Sequence, residues 1–405
     1  MITPSFGLTA TERVLPRLAL DFTTASLDAR VIFSRSLNTA TVTNSSGYVV
    51  PINADLPRFD YDPVTLACKG LLIEENRTNL LLQSEDFETT WADTGTTTQT
   101  KNVVIAPSNT QTGNEITSGT VGYNGAVQSV VITSSANSYT GSCYLKAGTV
   151  TSVRLRLRFY NLGTTADGNA YFNLSAGTAT ADGNRTATIT PVGNSWYRCT
   201  ITGADNNTGN NRADLFVMSN NQQGNFYAWG AQLEAGALPT SYIPTTTTSL
   251  TRNADVATMT GTNFSNWFNP VEGAFAVYGS YLNQAGTQTW FSVSNNTAAE
   301  RLRIVAVSAT VTRFSSTTGN VETAAISKTT ASGANKFCGA YKLNDYAFTS
   351  NGTAVGTDTA VVVPTVSQIN IGSEYTGTNV LNGHIQKLLY YPQRLTNAEV
   401  QAFSK

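Results

Sequence analysis

The sequence predicts an all-β protein: a short N-terminal module, then two β-sandwich (jelly-roll) domains, closed by a short C-terminal helix. Three observations carry this. Threonine alone outnumbers the 25 Lys and Arg and the 26 Asp and Glu taken together, and its branched side chain suits a half-exposed pleated surface. Short alternating apolar and polar runs recur between Gly-, Asn- and Asp-bearing turns, the pattern of many short strands. At 405 residues the chain exceeds one typical core, so two or three domains are expected.

Charge narrows the function. Only 13% of residues are charged and the net charge is -1, which excludes the clustered Lys and Arg of a non-specific nucleic-acid binder. No block of like charge marks a tail. The N-terminus, MITPSFGLTATERVLPRLALDF, lacks a basic region followed by an apolar run, so no signal peptide is expected. Apolar runs are too short to span a membrane. Synthesis in a cytoplasm without membrane insertion follows. Cys68, Cys143, Cys199 and Cys338 show no CxxC spacing and His384 is the sole histidine, so a Cys/His zinc site lacks material. The cysteines read as free, mostly buried thiols, although Cys143 and Cys199 fall in strands of one domain.

The elements follow in order. Residues 1–75 form the leading module: Leu18–Phe22 and Arg30–Ser34 are small strands, Ser45-Ser-Gly47 a turn, and Pro57–Pro63 extended because residues before proline avoid the helical region. Residues 76–245 form the first sandwich, with strands at 126–132, 138–146, 153–159, 170–174, 186–190, 196–202, 213–218 and 225–234. The run 153–159 alternates strictly, placing Val153, Leu155, Leu157 and Phe159 on a core face and Arg154, Arg156 and Arg158 on the other. Asn161–Gly163 and Ala166–Gly168 read as turns without phosphate-loop form. Thr245–Arg252 is a short linker. Residues 253–405 form the second sandwich, with strands from Gly273–Tyr281 to Gly383–Tyr391. Thr396-Asn-Ala-Glu399 is a capping box that starts the last helix.

Several motifs carry a resemblance. The junction GLLIEENRTNLLLQSEDFETTW (70–91), then GNSWYRCTITG (193–203) and NFYAWGAQLEAGALPTSYIPT (225–245), resemble tailed-bacteriophage fibre, spike and decoration proteins with a carbohydrate-binding-module-like jelly roll. The close, LNGHIQKLLYYPQRLTNAEVQAFS, is similar to the last strand and helix of concanavalin-A-like, laminin-G-type domains. The resemblance implies a virion protein: 1–75 attaching to the particle, 76–245 and 253–405 projecting. Its implied partners are other virion proteins, copies of itself in a homotrimer, and host-surface glycan. Many sandwiches of this kind hold a structural calcium through acidic residues on their first and last strands. Here Trp229-Gly230 stands where an acidic pair is expected, leaving Glu85, Asp86 and Glu234 as the candidate ligands; no other cofactor is implied.

For chemistry, a Ser-His-Asp triad needs an imidazole, and His384 beside Gly383 in a strand reads as structural. A glycosidase needs two carboxylates across a cleft; the nearest clusters are Glu74-Glu75 and Glu85–Glu88, and the second sandwich lacks the acidic alternation of concanavalin-A-like glucanases. The chain is therefore expected not to be an enzyme. Glycan binding needs exposed aromatic platforms, and Trp91, Tyr123, Tyr160, Trp267 and Tyr375 lie near predicted loops, whereas Trp196 and Trp229 lie in strands. The arginine row suits an anionic sugar, an acidic neighbouring subunit or plain solvent. Two other readings remain open: a capsid cement protein that binds no sugar, and a glycan depolymerase.

Overall fold

The computed structural model describes residues 15–132, 138–161, 164–205, 209–282 and 286–405. Strand alternation decides its first sandwich. Along Ser152–Asn161, Val153, Leu155, Leu157 and Phe159 are fully buried while Arg156 and Arg158 stay partly exposed. That strand lies in a six-stranded sheet ordered Thr178–Ala181, Thr164–Asn173, Ser152–Asn161, Arg212–Ser219, Gly125–Val131 and Ala92–Thr94. A second six-stranded sheet, Thr186–Pro191, Trp196–Ala204, Ser138–Ala147, Gly224–Ala235, Gly113–Ser118 and Thr97–Val104, packs on it. Leu145, Ile201, Leu215, Phe226 and Leu233 fill the space between them with the apolar half of the arginine strand. The described strand pairs are antiparallel, as expected for sheets with one wet face.

The second sandwich pairs an eight-stranded sheet with a seven-stranded one around a core rich in rings, including Trp267, Phe275, Trp290, Phe291 and Tyr390. The chain ends in helix Asn397–Ala402, which carries the expected reciprocal Thr396–Glu399 capping box. Among the described residues no helix is long and apolar enough to cross a membrane.

The leading segment departs from the expectation of a separate module. Strands Leu18–Asp21 and Cys68–Ile73 both pair with Gly383–Tyr391, and Ile32–Ser34 pairs with Val256–Thr260 in the opposite sheet. Much of the described part of 1–75 therefore belongs to both sheets of the second sandwich, where Leu18, Leu20, Phe33, Leu71 and Ile73 enter its core, while Ala40–Thr43 and Val49–Ile52 form a separate hairpin whose Val49 packs with Trp196, Trp229 and Tyr242 of the first. The reason is area: a few short strands cannot bury a core alone, but they complete one already built. Residues 1–14 lie outside the described residues. The first sandwich is thus inserted within the second. Leu250–Arg252, expected as linker, instead pairs with Arg77–Asn79 where the chain passes into and out of the insert. Ala166–Gly168, expected as a turn, continues strand Thr164–Asn173, and residues 162–163 lie outside the described residues.

A buried ionic knot ties the two sandwiches at this point. Arg35, Arg58, Arg252 and Asp255 are fully buried. Asp255 receives Arg35 Nη1 at 3.2 Å, a close Arg58 guanidinium, and the Glu74 amide at 2.9 Å. Glu74 takes Arg58 at 2.7 Å and Arg252 at 3.5 Å, and accepts from the Ser241 amide and hydroxyl at 2.8 and 2.7 Å. Arg77 adds contacts to Glu75 at 2.6 Å and Glu234 at 3.8 Å. Four arginines thus meet Glu74, Glu75, Glu234 and Asp255, and the knot is neutral. Beside it Asn79 is satisfied on both ends of its amide, donating to the Ala231 and Ile243 carbonyls and accepting from the Leu81 and Leu233 amides.

Candidate functional site

The outward face of the arginine strand is where the chain gathers polar and aromatic groups. Successive outward residues of a strand stand on one face, so Arg154, Arg156, Arg158 and Tyr160 form a row about 20 Å long. Register extends it sideways. Arg154 lies opposite Met218 and Tyr171, Arg156 opposite Phe216 and Asn169, Arg158 opposite Asp214 and Asp167, and Tyr160 opposite Arg212.

Guanidinium groups lie on rings across this face. Arg154 sits 3.9 Å from the Tyr123 ring centroid, Arg156 and Arg158 lie 5.1 and 4.8 Å from Phe216, and Arg212 lies 5.2 Å from Tyr160. Such cation–ring contacts hold the long side chains in place. Tyr123 and Tyr160 remain 51% and 37% exposed.

Three of the four arginines hold carboxylates. Arg156 grips Asp167 through two nitrogens, and Arg158 and Arg212 share the buried Asp214 at 2.8 and 2.6 Å. Asp182 accepts from the Asn169 amide and side chain and from the Tyr171 hydroxyl, at 2.6, 2.8 and 2.9 Å. Burial pushes the carboxyls of Asp182 and Asp214 up, but these bonds hold both below the ordinary range. Arg154 differs. It is 8% exposed, its Nε is buried without a partner, and among the described residues no carboxylate lies within ion-pair distance. Its side chain bonds the Met218 sulfur at 3.6 Å, a weak acceptor, and the Tyr171 hydroxyl. Beyond Arg212 the face runs to Val131, 87% exposed, and into a groove of about 350 Å³ whose walls include Leu82, Thr90, Gln128 and Ser249.

The five aromatic candidates separate. Tyr123 and Tyr160 flank the arginine row. Tyr375 lies half-buried in a loop of the second sandwich, beside Glu374, which binds Arg303. Trp91 and Trp267 are corrections: both are core. Trp91 is stacked 4.5 Å from Phe87, and Trp267 packs against Phe264 and Tyr390 at 4.9 Å with its indole N–H donated to the Asn263 carbonyl. Each sits beside a short loop in sequence, but its size fills the end of a sandwich.

The calcium candidates do not converge. Glu85 accepts from the Tyr242 hydroxyl at 3.1 Å, Asp86 pairs with Lys101 at 3.0 Å, and Glu234 is enclosed by Thr240 and Gln232. Burial pushes the Glu85 and Glu234 carboxyls up. Among the described residues no cluster of three or more His, Cys, Asp or Glu is placed to hold a metal ion. The cysteines are free; Cys143 and Cys199 sit opposite each other on paired strands, and burial pushes both thiols up. His384 is structural: its Nε2 lies 2.9 Å from Asp60, which also holds Lys69 at 2.9 Å, tying the last strand to the leading segment.

The arginine face was half legible. Alternation found Arg154, Arg156 and Arg158, but Arg212, Phe216 and Tyr171 join only through strand pairing, which no local pattern reveals.

No protein-family model and no curated protein matches the chain. Among solved structures, the carbohydrate-binding module CBM40 of the Ruminococcus gnavus IT-sialidase is similar over 34% of this chain and 84% of its own, at 14% identity and TM-score 0.29. The NanB sialidase of Streptococcus pneumoniae is similar over 36% of this chain and 26% of its own, at 11% identity and TM-score 0.31. The binding domain of botulinum neurotoxin DC, solved with rat synaptotagmin II, is similar over 37% and 39%, at 11% identity and TM-score 0.29. Each is a weak likeness over little more than a third of the chain.

Proposed function

We propose that this protein is a non-enzymatic subunit of a bacteriophage particle, a fibre, spike or decoration protein, that binds glycan along the outward face of its first sandwich. The observation that carries the glycan reading is the row from Arg154 to Tyr160, with Tyr123 and Tyr160 exposed beside fixed guanidinium groups. Its length suits about four sugar rings, and aromatic faces with directed donors are what saccharides need. The carboxylates there support binding over hydrolysis. A glycosidase needs one carboxyl raised to act as acid, and Asp182 and Asp214 are instead held low.

The virion part rests on the resemblance of the junction and of the two sandwich endings. The exposed Leu37, Leu56, Val64 and Leu66 of the leading segment supply apolar contact for attachment to other virion proteins. Homotrimeric assembly would multiply weak sites into useful avidity.

The test is binding of the labelled full chain to an oligosaccharide array, compared with the Tyr123→Ala/Tyr160→Ala double variant. Binding that falls at least about tenfold in the variant is expected, since each stacked ring contributes about 1 kcal/mol. Equal binding would remove the face from consideration. Gold-labelled antibody on intact particles tests the virion part, and unlabelled particles would overturn it.

A further inference from the structure

Arg154 is the exception on a face that otherwise satisfies its charges. Its neighbours Arg156, Arg158 and Arg212 hold carboxylates, while Arg154 is more than nine-tenths buried with an unpartnered Nε and bonds only uncharged groups, the Met218 sulfur and the Tyr171 hydroxyl. Burying a guanidinium with no carboxylate at ion-pair distance is costly, and Asp182, which feels the charge of Arg154, does not touch it. The strand partner Met218 calls for no charge here, and the Tyr123 ring, which favours a cation, does not supply a counter-anion. The charge balance agrees. Arg154, Arg156, Arg158 and Arg212 against Asp167, Asp182 and Asp214 leave the face with one positive charge.

We propose that Arg154, set between Tyr123 and Tyr171, is the reading site for a single oxyanion on the bound saccharide, so that the ligand is an acidic glycan. This rests on the glycan-binding reading above. A guanidinium presents paired N–H donors that match a planar carboxylate, and Lys cannot reproduce that fork. One surplus positive charge fits a monoanion, either a sugar carboxylate or a sulfate ester. A phosphate monoester carries more charge than the face balances. The Tyr123 ring fixes the guanidinium from one side, and the Tyr171 hydroxyl, which donates to Asp182, bonds it through its oxygen. The anion therefore takes its donors from Arg154, with Arg156, itself held by Asp167, as its nearest fixed charge. Arg154 is a specificity residue, and neighbouring neutral sugars would rest on the aromatic groups along the row.

The test uses the full chain on paired oligosaccharides that differ in one group: a uronic acid against its neutral hexose, a sialylated against an unsialylated lactose, and a sulfated against an unsulfated sugar. Poly-glutamate serves as an acidic polypeptide probe. Titration of the wild type, Arg154→Lys and Arg154→Gln follows, with melting curves to confirm folding. The expected result is at least tenfold preference for one acidic member of a pair, weakened at least tenfold in Arg154→Gln, partly kept in Arg154→Lys, and unchanged for neutral sugars. Whether the preferred group is carboxylate or sulfate identifies the oxyanion. Neutral and acidic members binding equally, or Arg154→Gln keeping the preference, would overturn this inference and leave the glycan reading standing. Poly-glutamate binding as tightly as any glycan would replace it with an acidic protein partner. No binding to any sugar would overturn both.

Discussion

Replacing Asp255 with Ala should cost about 3–5 kcal/mol of folding stability, the range for breaking a buried ion pair from one side. Asp255 is fully buried and accepts from Arg35, Arg58 and the Glu74 amide. Without it Arg58 keeps Glu74, but Arg35 keeps only the Asn53 and Leu56 carbonyls. The knot then holds Arg35, Arg58, Arg77 and Arg252 against Glu74, Glu75 and Glu234, one cation in excess. The Glu74 amide also loses its acceptor, a penalty of about 1–3 kcal/mol that forms part of the total. Because these groups come from both sides of the join, the loss should fall on coupling between the sandwiches. Urea unfolding followed by tryptophan fluorescence and by far-ultraviolet dichroism is the assay, and the two probes should part company in the variant. Adding Arg35→Met should restore at least about 1 kcal/mol, since it removes the orphaned cation. A loss below about 1 kcal/mol, or a double variant as unstable as the sum of the singles, would refute the reasoning.

Four further outcomes follow. Burial would raise the Glu74 carboxyl, but Arg252, Arg58 and the Ser241 bonds hold it well below its ordinary 4.5; the unfolded chain therefore takes the proton first, and stability should fall as pH drops below about 4.5, seen in urea midpoints from pH 7 to 3. Burial pulls the His384 imidazole below its ordinary 6.5 despite the bond to Asp60, so stability should also decline as pH falls through 6.5, and a His384→Gln variant should lose that slope; a rise instead would mean that the Asp60 charge outweighs burial. Gly70 has φ +99 and an added Cβ would lie 2.3 Å from the Ile385 carbonyl oxygen, so Gly70→Ala should lose at least about 2 kcal/mol in thermal unfolding. Trp267→Ala should cost about 3–5 kcal/mol as a core truncation, while a Tyr160→Ala variant should melt normally.

Local pattern reached the fold class because alternation and turn chemistry act over a few residues. The strand around Val153–Phe159, the Trp196 strand and the Thr396 cap are all of that kind. Threonine- and serine-rich strands escaped because they show no apolar alternation: Thr97–Val104 is an exposed edge strand, and Val311–Thr318 buries its Thr and Ser side chains inside a sheet. The insertion escaped for another reason. Pairing of Leu18–Asp21 with Tyr390–Lys387 joins residues some 370 apart, and such closure depends on tertiary area rather than local preference. The junction 70–91 stood out in sequence, and its Glu74, Glu75, Arg77 and Asn79 prove to be members or neighbours of the knot, a role that charge spacing alone does not disclose. Trp91 and Trp267 misled because nearness to a loop says nothing of which way a ring points.

The paired strands Arg77–Asn79 and Leu250–Arg252 have a consequence for how such a protein can change. They bring the two ends of the inserted sandwich to adjacent backbone positions, about 5 Å apart. A domain whose own ends lie that close fits the same stem, provided that it also supplies partners for Glu74, Arg58 and Val49 in place of Ser241 and Tyr242. Recombination at this stem could therefore exchange the whole first sandwich, with its arginine face, in one event. The same cut, made between Arg77–Asn79 and Leu250–Arg252, is the natural one for transplanting the first sandwich in the laboratory.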